Sequence, residues 1–322
     1  MTEVTITGIN SITYPHLDVW NWLVAIYLFL GGLSAGILIM SAIANLRKWP
    51  GSASGPHCEK GVMFAPFILA FGMLFIFLDL ERKANMFWFY LTLQPTSPMS
   101  WGAWGIMIII PVSFLYALST APPESRHNLR YEALIKLSEM LRPYMRRLAM
   151  ISFGLGIFLG IYTGVLLSNM LARPLWNSPI LPVLFLTSAA STGAAFLIIV
   201  ARRAAVKLFY TKLDIWLIFA EIVIIVLFFY GQYNSSASSK ASIMPFFALT
   251  HEFFLYFLAV FLMAVLLPLA LVMKLIEMRE EHADVLSEAT IFKMNLSAVM
   301  VLTGGLIIRL ALIYAGQLVK FM

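Results

Sequence analysis

The chain has 322 residues, of which 61% are hydrophobic, with a mean hydropathy of +0.87 and a formal net charge of +6. That composition defines an integral membrane protein and excludes a soluble globular domain. The single cysteine, Cys58, excludes an intrachain disulfide and an iron–sulfur cluster held by this chain alone.

Eight apolar spans follow one another at 20–46, 61–80, 100–120, 146–170, 180–200, 213–232, 250–274 and 291–318. Each is near the ~20 residues that cross a bilayer core. The expected fold is all-α: a polytopic bundle of eight transmembrane helices, arranged as two four-helix halves within a single domain, 1–322. The first apolar run is long and lacks a basic leader, so it reads as a retained helix and not a cleaved signal. Sixteen of the twenty-two Lys and Arg residues fall in the connections after spans one, three, five and seven. They are Arg47, Lys48, Lys60; Arg126, Arg130, Lys136, Arg142, Arg146, Arg147; Arg202, Arg203, Lys207, Lys212; and Lys274, Arg279, Lys293. The positive-inside rule then puts both termini outside, in the periplasm if the membrane is a bacterial inner membrane. Net positive charge is accounted for by anchoring to anionic lipid, without nucleic acid.

In chain order, span one carries Gly32 and Gly36 at GxxxG spacing, and span two ends at Asp79-Leu80-Glu81-Arg82-Lys83. The connection 121–147 sets Leu129, Leu134, Ile135, Leu137 and Leu141 among charges, the pattern of an amphipathic helix on the inner leaflet. Span four carries Gly156, Gly160 and Gly164 at four-residue steps, a ridge that lets helices approach closely. The Ser-rich stretch 233–242 is expected to be a short flexible loop.

Ionisable residues at membrane depth are costly and mark functional candidates. Asp79, Glu221, His251, Glu252 and Arg309 are the candidates here, and four of the five fall in the outer half. An Asp79–Arg309 ion pair would satisfy two of these charges at once, either as a purely structural pair or as part of a ligand pocket. Tyr27, Tyr162, Thr163, Asn169, Asn177, Ser178 and Gln317 add hydrogen-bonding groups on the outer side. Glu221 stands alone, about two turns from the inner face, where it is either a proton relay or a protonated group bonded to a neighbouring helix. Of His16, His57, His127, His251 and His282 only His251 is near a span, so bis-His haem is not expected, nor a metal site.

Several motifs resemble the NrfD/PsrC family of integral, quinone-interacting membrane subunits. Span one reads Trp20-Asn21-Trp22 and then Ala25-Ile26-Tyr27-Leu28-Phe29-Leu30 before Gly32, Ser34, Ala35 and Gly36. Asp79-Leu80-Glu81-Arg82, Phe87-Trp88 and Ser97-Pro98-Met99-Ser100-Trp101-Gly102 form a second signature. Gly160-Ile161-Tyr162-Thr163-Gly164, Asn177-Ser178-Pro179 and the final Arg309 to Gln317 complete it. The resemblance implies exchange of electrons between menaquinone or ubiquinone and a four-cluster iron–sulfur subunit on the outer face. That partner would serve a molybdopterin reductase of polysulfide, thiosulfate or tetrathionate type, or alternatively a multihaem cytochrome nitrite reductase.

Tyr162 matches a family tyrosine thought to touch quinone. Members with a described quinone site carry Asn and His in span one, where Val24 and Tyr27 stand here. The expected quinone contacts are therefore Tyr27, Asp79, Tyr162, His251 and Arg309, with Asp79, His251 and Arg309 as catalytic groups. Glu221 and Glu252 are the expected proton relay. Without haem this protein cannot carry electrons across ~30 Å of bilayer, so the quinone site is expected on the partner's side. A transporter of small solutes or ions is the alternative from another class.

Overall fold

The computed structural model describes residues 20–48, 61–121, 132–249, 251–275 and 287–318. Cys58 and the 122–131 part of the expected amphipathic connection lie outside them. The described helices are α1 (Trp22–Arg47), α2 (Ala65–Asp79), α3 (Phe87–Leu91), α4 (Pro98–Ser119), α5 (Glu132–Leu141) and α6 (Met145–Ser168). They continue with α7 (Leu181–Val200), α8 (Ala204–Tyr233), α9 (Ala237–Phe247), α10 (Glu252–Val260), α11 (Leu267–Val272) and α12 (Glu288–Leu318). A π-helical stretch, Phe261–Leu266, joins α10 to α11 as one span. No strand occurs among the described residues, and eight helical segments are long and apolar enough to cross a membrane.

Local chemistry sets the ends. Asn21 caps α1 through its Oδ1, which accepts from Leu23 N at 2.7 Å. At the other end Lys48 adopts φ 55° and its N–H closes on Ala44 O, the left-handed stop common at helix C-termini. Pro98 and Pro182 sit in the first turns of α4 and α7, where a missing N–H costs nothing. Two expectations need correction. The stretch 233–242 is not a loop throughout: Ser236 accepts from Ser239 N at 3.1 Å and nucleates α9. The sixth span begins at Ala204 and not at 213, so Lys207 and Thr211 also belong to the helix.

Within the 121–147 connection, α5 exposes Glu132 and Lys136, which pair at 3.0 Å, and half-buries Leu134, Ile135 and Leu137. Buried Ser138 donates to Leu118 O at 2.9 Å and ties α5 to the end of α4.

The bundle divides into α1, α2, α4 and α6 on one side and α7, α8, α10–α11 and α12 on the other. Its seam is the contact of α1 with α7. A Cβ on Gly36 would overlap the Ala189 carbonyl, and one on Gly193 would overlap the Gly36 backbone. The two main chains therefore touch directly, which only glycine permits. The α6 ridge acts in the same way, Gly156 facing α1 at Ile39 and Gly164 facing α7 at Pro182. The two described ends of the protein meet at one end of the bundle. Trp20 N donates to Gln317 Oε1 at 3.2 Å, Gln317 Nε2 returns to Trp20 O at 2.8 Å, and Trp20 stacks on Trp176. We call this the terminal end, and the opposite one, where the basic connections leave the helices, the basic end.

Gly36→Ala is expected to destabilise the protein by at least the ~1–3 kcal/mol of core overpacking, read as a lower unfolding midpoint in detergent. Gly31→Ala is the control: a Cβ there meets no atom within 4 Å, so its midpoint should not fall.

Candidate functional site

Two separate polar systems lie inside the bundle, with α1 between them. The first is a pocket of about 260 Å³ at the terminal end, built by α1, α2, α3, α4 and α6. Its walls are apolar, with Val24, Leu28, Met73, Ile76, Met99, Ile106 and Leu166 among them. Four polar side chains converge on it: Tyr27, Asp79, Tyr90 and Tyr162. An apolar cleft with a few placed polar groups is the usual form of a small-molecule site.

Each polar group is positioned from its own helix. Tyr27 and Tyr162 are buried to 4% and 6% exposure. The Tyr162 ring lies parallel to Phe158 at 6.0 Å, and its hydroxyl abuts Gly102, where a Cβ would collide with it. This is a physical reason for glycine in Ser100-Trp101-Gly102. Half-buried Asp79 ends α2, and its Oδ1 accepts from Asn21 Nδ2 at 2.8 Å. Asn21 thus caps α1 with its oxygen and holds Asp79 with its nitrogen. Tyr90 enters from α3, outside the spans, and burial pushes its phenol above the ordinary value. It therefore remains a hydrogen-bond donor at physiological pH.

The second system is an ionic core between α7, α8 and α12. Arg309 is 1% exposed; its Nη1 donates to Gly305 O at 2.6 Å and to Ser188 Oγ at 3.2 Å. Its guanidinium lies over the Phe29 and Phe185 rings at 5.7 and 5.5 Å, contacts that suit a desolvated cation. A Cβ on Gly32 would come within 2.7 Å of Arg309 Nη2, so that glycine forms the guanidinium's seat on α1. Glu221 of α8, 5% exposed, is the carboxyl that interacts electrostatically with Arg309. Asp214 is 4% exposed and its Oδ1 accepts from Ser191 Oγ at 2.6 Å.

The expected site residues are thus redistributed. Tyr27, Asp79 and Tyr162 share the pocket, but the Asp79–Arg309 pair does not form. The helix α1 separates the two, presenting Val24, Tyr27 and Leu28 to the pocket and Phe29 and Gly32 to Arg309. Glu221 is not alone and not near the basic end; it lies ~18 Å from the terminal end of α8 and ~25 Å from the other, opposite Arg309. His251 caps α10, its Nδ1 accepting from Phe253 N at 3.4 Å, and does not line the pocket. Glu252 is exposed in the first turn of α10, where a negative charge suits the helix dipole. No group of His, Cys, Asp and Glu able to hold a metal occurs among the described residues. Asn21, Tyr90 and Asp214 are additions. Asp214 had a signal in the sequence, the seven-residue spacing of Lys207, Asp214 and Glu221, which keeps all three on one helix face.

This fold and pocket define a multi-pass membrane protein with an apolar cleft at one end of the bundle that gathers three phenols and a carboxylate. The family model described as polysulphide reductase, NrfD, matches residues 10–320, and the protein belongs to that family. It is 30% identical over 323 residues to the C polypeptide of polysulfide reductase from Wolinella succinogenes, covering 96% of this sequence and 97% of that one. It is 30% identical over 227 residues to protein NrfD of Escherichia coli, covering 66% and 71%. The C polypeptide of tetrathionate reductase from Salmonella typhimurium is 26% identical over 198 residues, covering 61% of this sequence and 54% of that one.

Asn21→Ala removes a helix cap and the partner of Asp79 together. A loss of about 1 kcal/mol for the cap and about 1 kcal/mol for the second bond is expected, measured by thermal unfolding in detergent.

Proposed function

We propose that the terminal-end pocket binds the headgroup of a membrane quinol, menaquinol or ubiquinol, and that this protein is the quinol-oxidising membrane subunit of a respiratory reductase complex. The observation that carries the reading is the convergence of Tyr27, Asp79, Tyr90 and Tyr162 in an otherwise apolar pocket between membrane spans. Apolar walls suit a ring and its isoprenoid tail, and phenols suit the two ring oxygens. A bound quinol supplies two electrons and two protons. Tyr162 and Tyr90 donate hydrogen bonds and fix the ring. With Asn21 holding Oδ1, Asp79 accepts a proton at Oδ2 as a general base.

The distribution of Lys and Arg supports a terminal end on the periplasmic side of a bacterial inner membrane. Electrons then leave from that end to an iron–sulfur partner. Exposed Trp88, Leu91 and Leu93, beside the pocket's Tyr90, supply an apolar surface for it. Full-length similarity to a polypeptide of polysulfide reductase favours a molybdopterin reductase as the final acceptor.

In the assembled complex with quinol, Asp79→Asn is expected to lower kcat about a hundredfold, while Tyr162→Phe mainly raises KM. An assembled complex with no quinone and no quinol-dependent reduction of its partner would overturn the reading. Topology is tested by cysteine labelling. In a Cys58→Ser background, Ser235→Cys should react with an impermeant maleimide from outside intact cells. Cys58 itself should react only after permeabilisation.

A further inference from the structure

The two halves of the bundle repeat one plan. In the first, α1, α2, α3, α4 and α6 enclose the pocket of about 260 Å³; in the second, α7, α8, α9, α10 and α12 enclose another of about 270 Å³ at the same end. The short helices α3 and α9 follow the second and sixth spans, and each lends a wall to the pocket of its own half. Single wall positions correspond as well. Met99, Gly102, Ala103 and Ile106 face the first pocket from α4, and Phe257, Val260, Phe261 and Val265 face the second from α10 and the stretch after it. The fourth position comes one residue later in the second set because the π-helical stretch Phe261–Leu266 winds in an extra residue. Ala264 of that stretch abuts Gly304 of α12, where a Cβ would overlap it, so this wall is held in place and cannot fall inward.

The chemistry of the two pockets is opposite. Where the first gathers Tyr27, Asp79, Tyr90 and Tyr162, the second presents Leu184 on α7, Phe228 on α8, Phe246 on α9 and Leu312 on α12. No side chain lining it offers a hydrogen bond, so it suits neither a quinol oxygen nor water, which needs several polar partners. Yet the cavity is not sealed. Phe228, Phe246 and Leu312 are buried at its back, while Val226, Phe247 and Phe261 are exposed at its mouth. Exposed apolar side chains on a membrane span face lipid, and the mouth therefore opens on hydrocarbon. Phe229 braces the opening, with the Phe246, Phe247 and Phe257 rings around it at 5.7, 5.3 and 5.6 Å. Above the mouth stands a cation. Tyr233 lies two turns beyond Val226 on α8, and Lys240 two turns before Phe247 on α9, ~10 Å in each case. Lys240 Nζ rests 4.2 Å from the centre of the Tyr233 ring, and no carboxylate of the described residues forms an ion pair with it. The ring takes one side of the ammonium and leaves its other donors for an anion.

We propose that the second pocket is a phospholipid site: one acyl chain fills the cavity, and the phosphate of the same lipid pairs with Lys240 at the terminal end. The chain meets the aromatic and aliphatic walls with methylenes, and the ester and glycerol groups bridge from the Phe247 lip to the ammonium. An isoprenoid chain would fill the same cavity but bring no anion to Lys240, so a phospholipid and not a second quinone is assigned. The need for such a lipid is visible in the packing. The spans α8 and α10–α11, whose residues form the mouth, are the least enclosed of the eight, and a bound chain supplies contacts that no neighbouring helix provides. The site is independent of the quinol reading above.

Photolabelling tests it. The full-length protein is placed in nanodiscs of phosphatidylethanolamine and phosphatidylglycerol that include a phosphatidylglycerol with a diazirine in its acyl chain, and adducts are mapped by peptide mass spectrometry. Adducts are expected at the buried Phe228 and Val260, which bulk lipid does not reach, while the exposed Phe67 and Phe71 of α2 report contact with bulk lipid. Ala311→Phe, which fills the cavity from α12, should abolish the Phe228 and Val260 adducts and leave those at Phe67 unchanged. Lys240→Gln, outside the spans, should lower them about tenfold, the loss of one charge-assisted contact, and Lys240→Arg should restore them. It also serves as the second variant should Ala311→Phe not fold. No adducts at Phe228 and Val260, or adducts that persist in folded Ala311→Phe, overturn the site. Unchanged labelling in Lys240→Gln, or displacement of the probe by excess menaquinone, overturns the phospholipid as its occupant.

Discussion

Everything else in this bundle is arranged around the direct contact of two main chains. Gly36 of α1 and Gly193 of α7 leave no room for a side chain between them. Inside a membrane, lipid offers little hydrophobic drive for helices to associate, so such close approach is where packing energy is gained. The contact makes α1 and α7 the two most enclosed spans and places each at the edge of its own half. Because α1 cannot rotate or retreat without breaking this contact, its two other faces are fixed as well. One of them lines the pocket and the other receives Arg309.

That sharing explains how a fully buried guanidinium is tolerated. A lone Arg at this depth would be among the most expensive residues in the protein. Here the cost is offset by Gly305 O, Ser188 Oγ, two aromatic rings and the Glu221 charge, drawn from α12, α7, α1 and α8. Opposed charges buried in this way are weak sources of stability, since apolar residues of similar volume pack as well or better. Their retention in four mutually packed helices is better accounted for by a role that needs charge.

The architecture was legible because bilayer thickness leaves few choices. Eight runs of suitable length, punctuated by basic connections, read directly as eight spans, and the glycine ridges of α1 and α6 pointed to tight packing. The pocket was legible only in part. Tyr27, Asp79 and Tyr162 sit at the same ends of their spans, which depth alone predicts. Tyr90 was missed because it enters from the short α3, outside the apolar runs, and Asn21 because, at the second position of its span, it reads as a cap and not as a group at depth. Hydropathy carries depth and no azimuth. For that reason Asp79 and Arg309, both in the terminal half, were paired although they face opposite sides of α1. Asp214 was passed over for a different reason: it stands at the second position of the expected span 213–232, where a charge reads as a helix end, while the helix continues back to Ala204 and carries Asp214 inside.

The composition of the pocket also constrains its chemistry. Its polar groups are three phenols and one carboxylate, with no imidazole among the lining residues. Phenols at neutral pH are hydrogen-bond donors first and poor bases. Two of these are enclosed within the spans, and burial pushes the third upward, which strengthens that division of labour. Asp79 is the one good base among these lining groups, and one of its oxygens is already committed to Asn21. A carboxylate held in this way at a helix end keeps one lone-pair face for the ligand and cannot swing away to the exposed Arg82 or Lys83 next in sequence. The Asn21 bridge also connects that base to the first turn of α1. Movement of Asp79 therefore bears on the helix whose far face seats Arg309, which joins the two polar systems mechanically although no hydrogen bond between them occurs among the described residues.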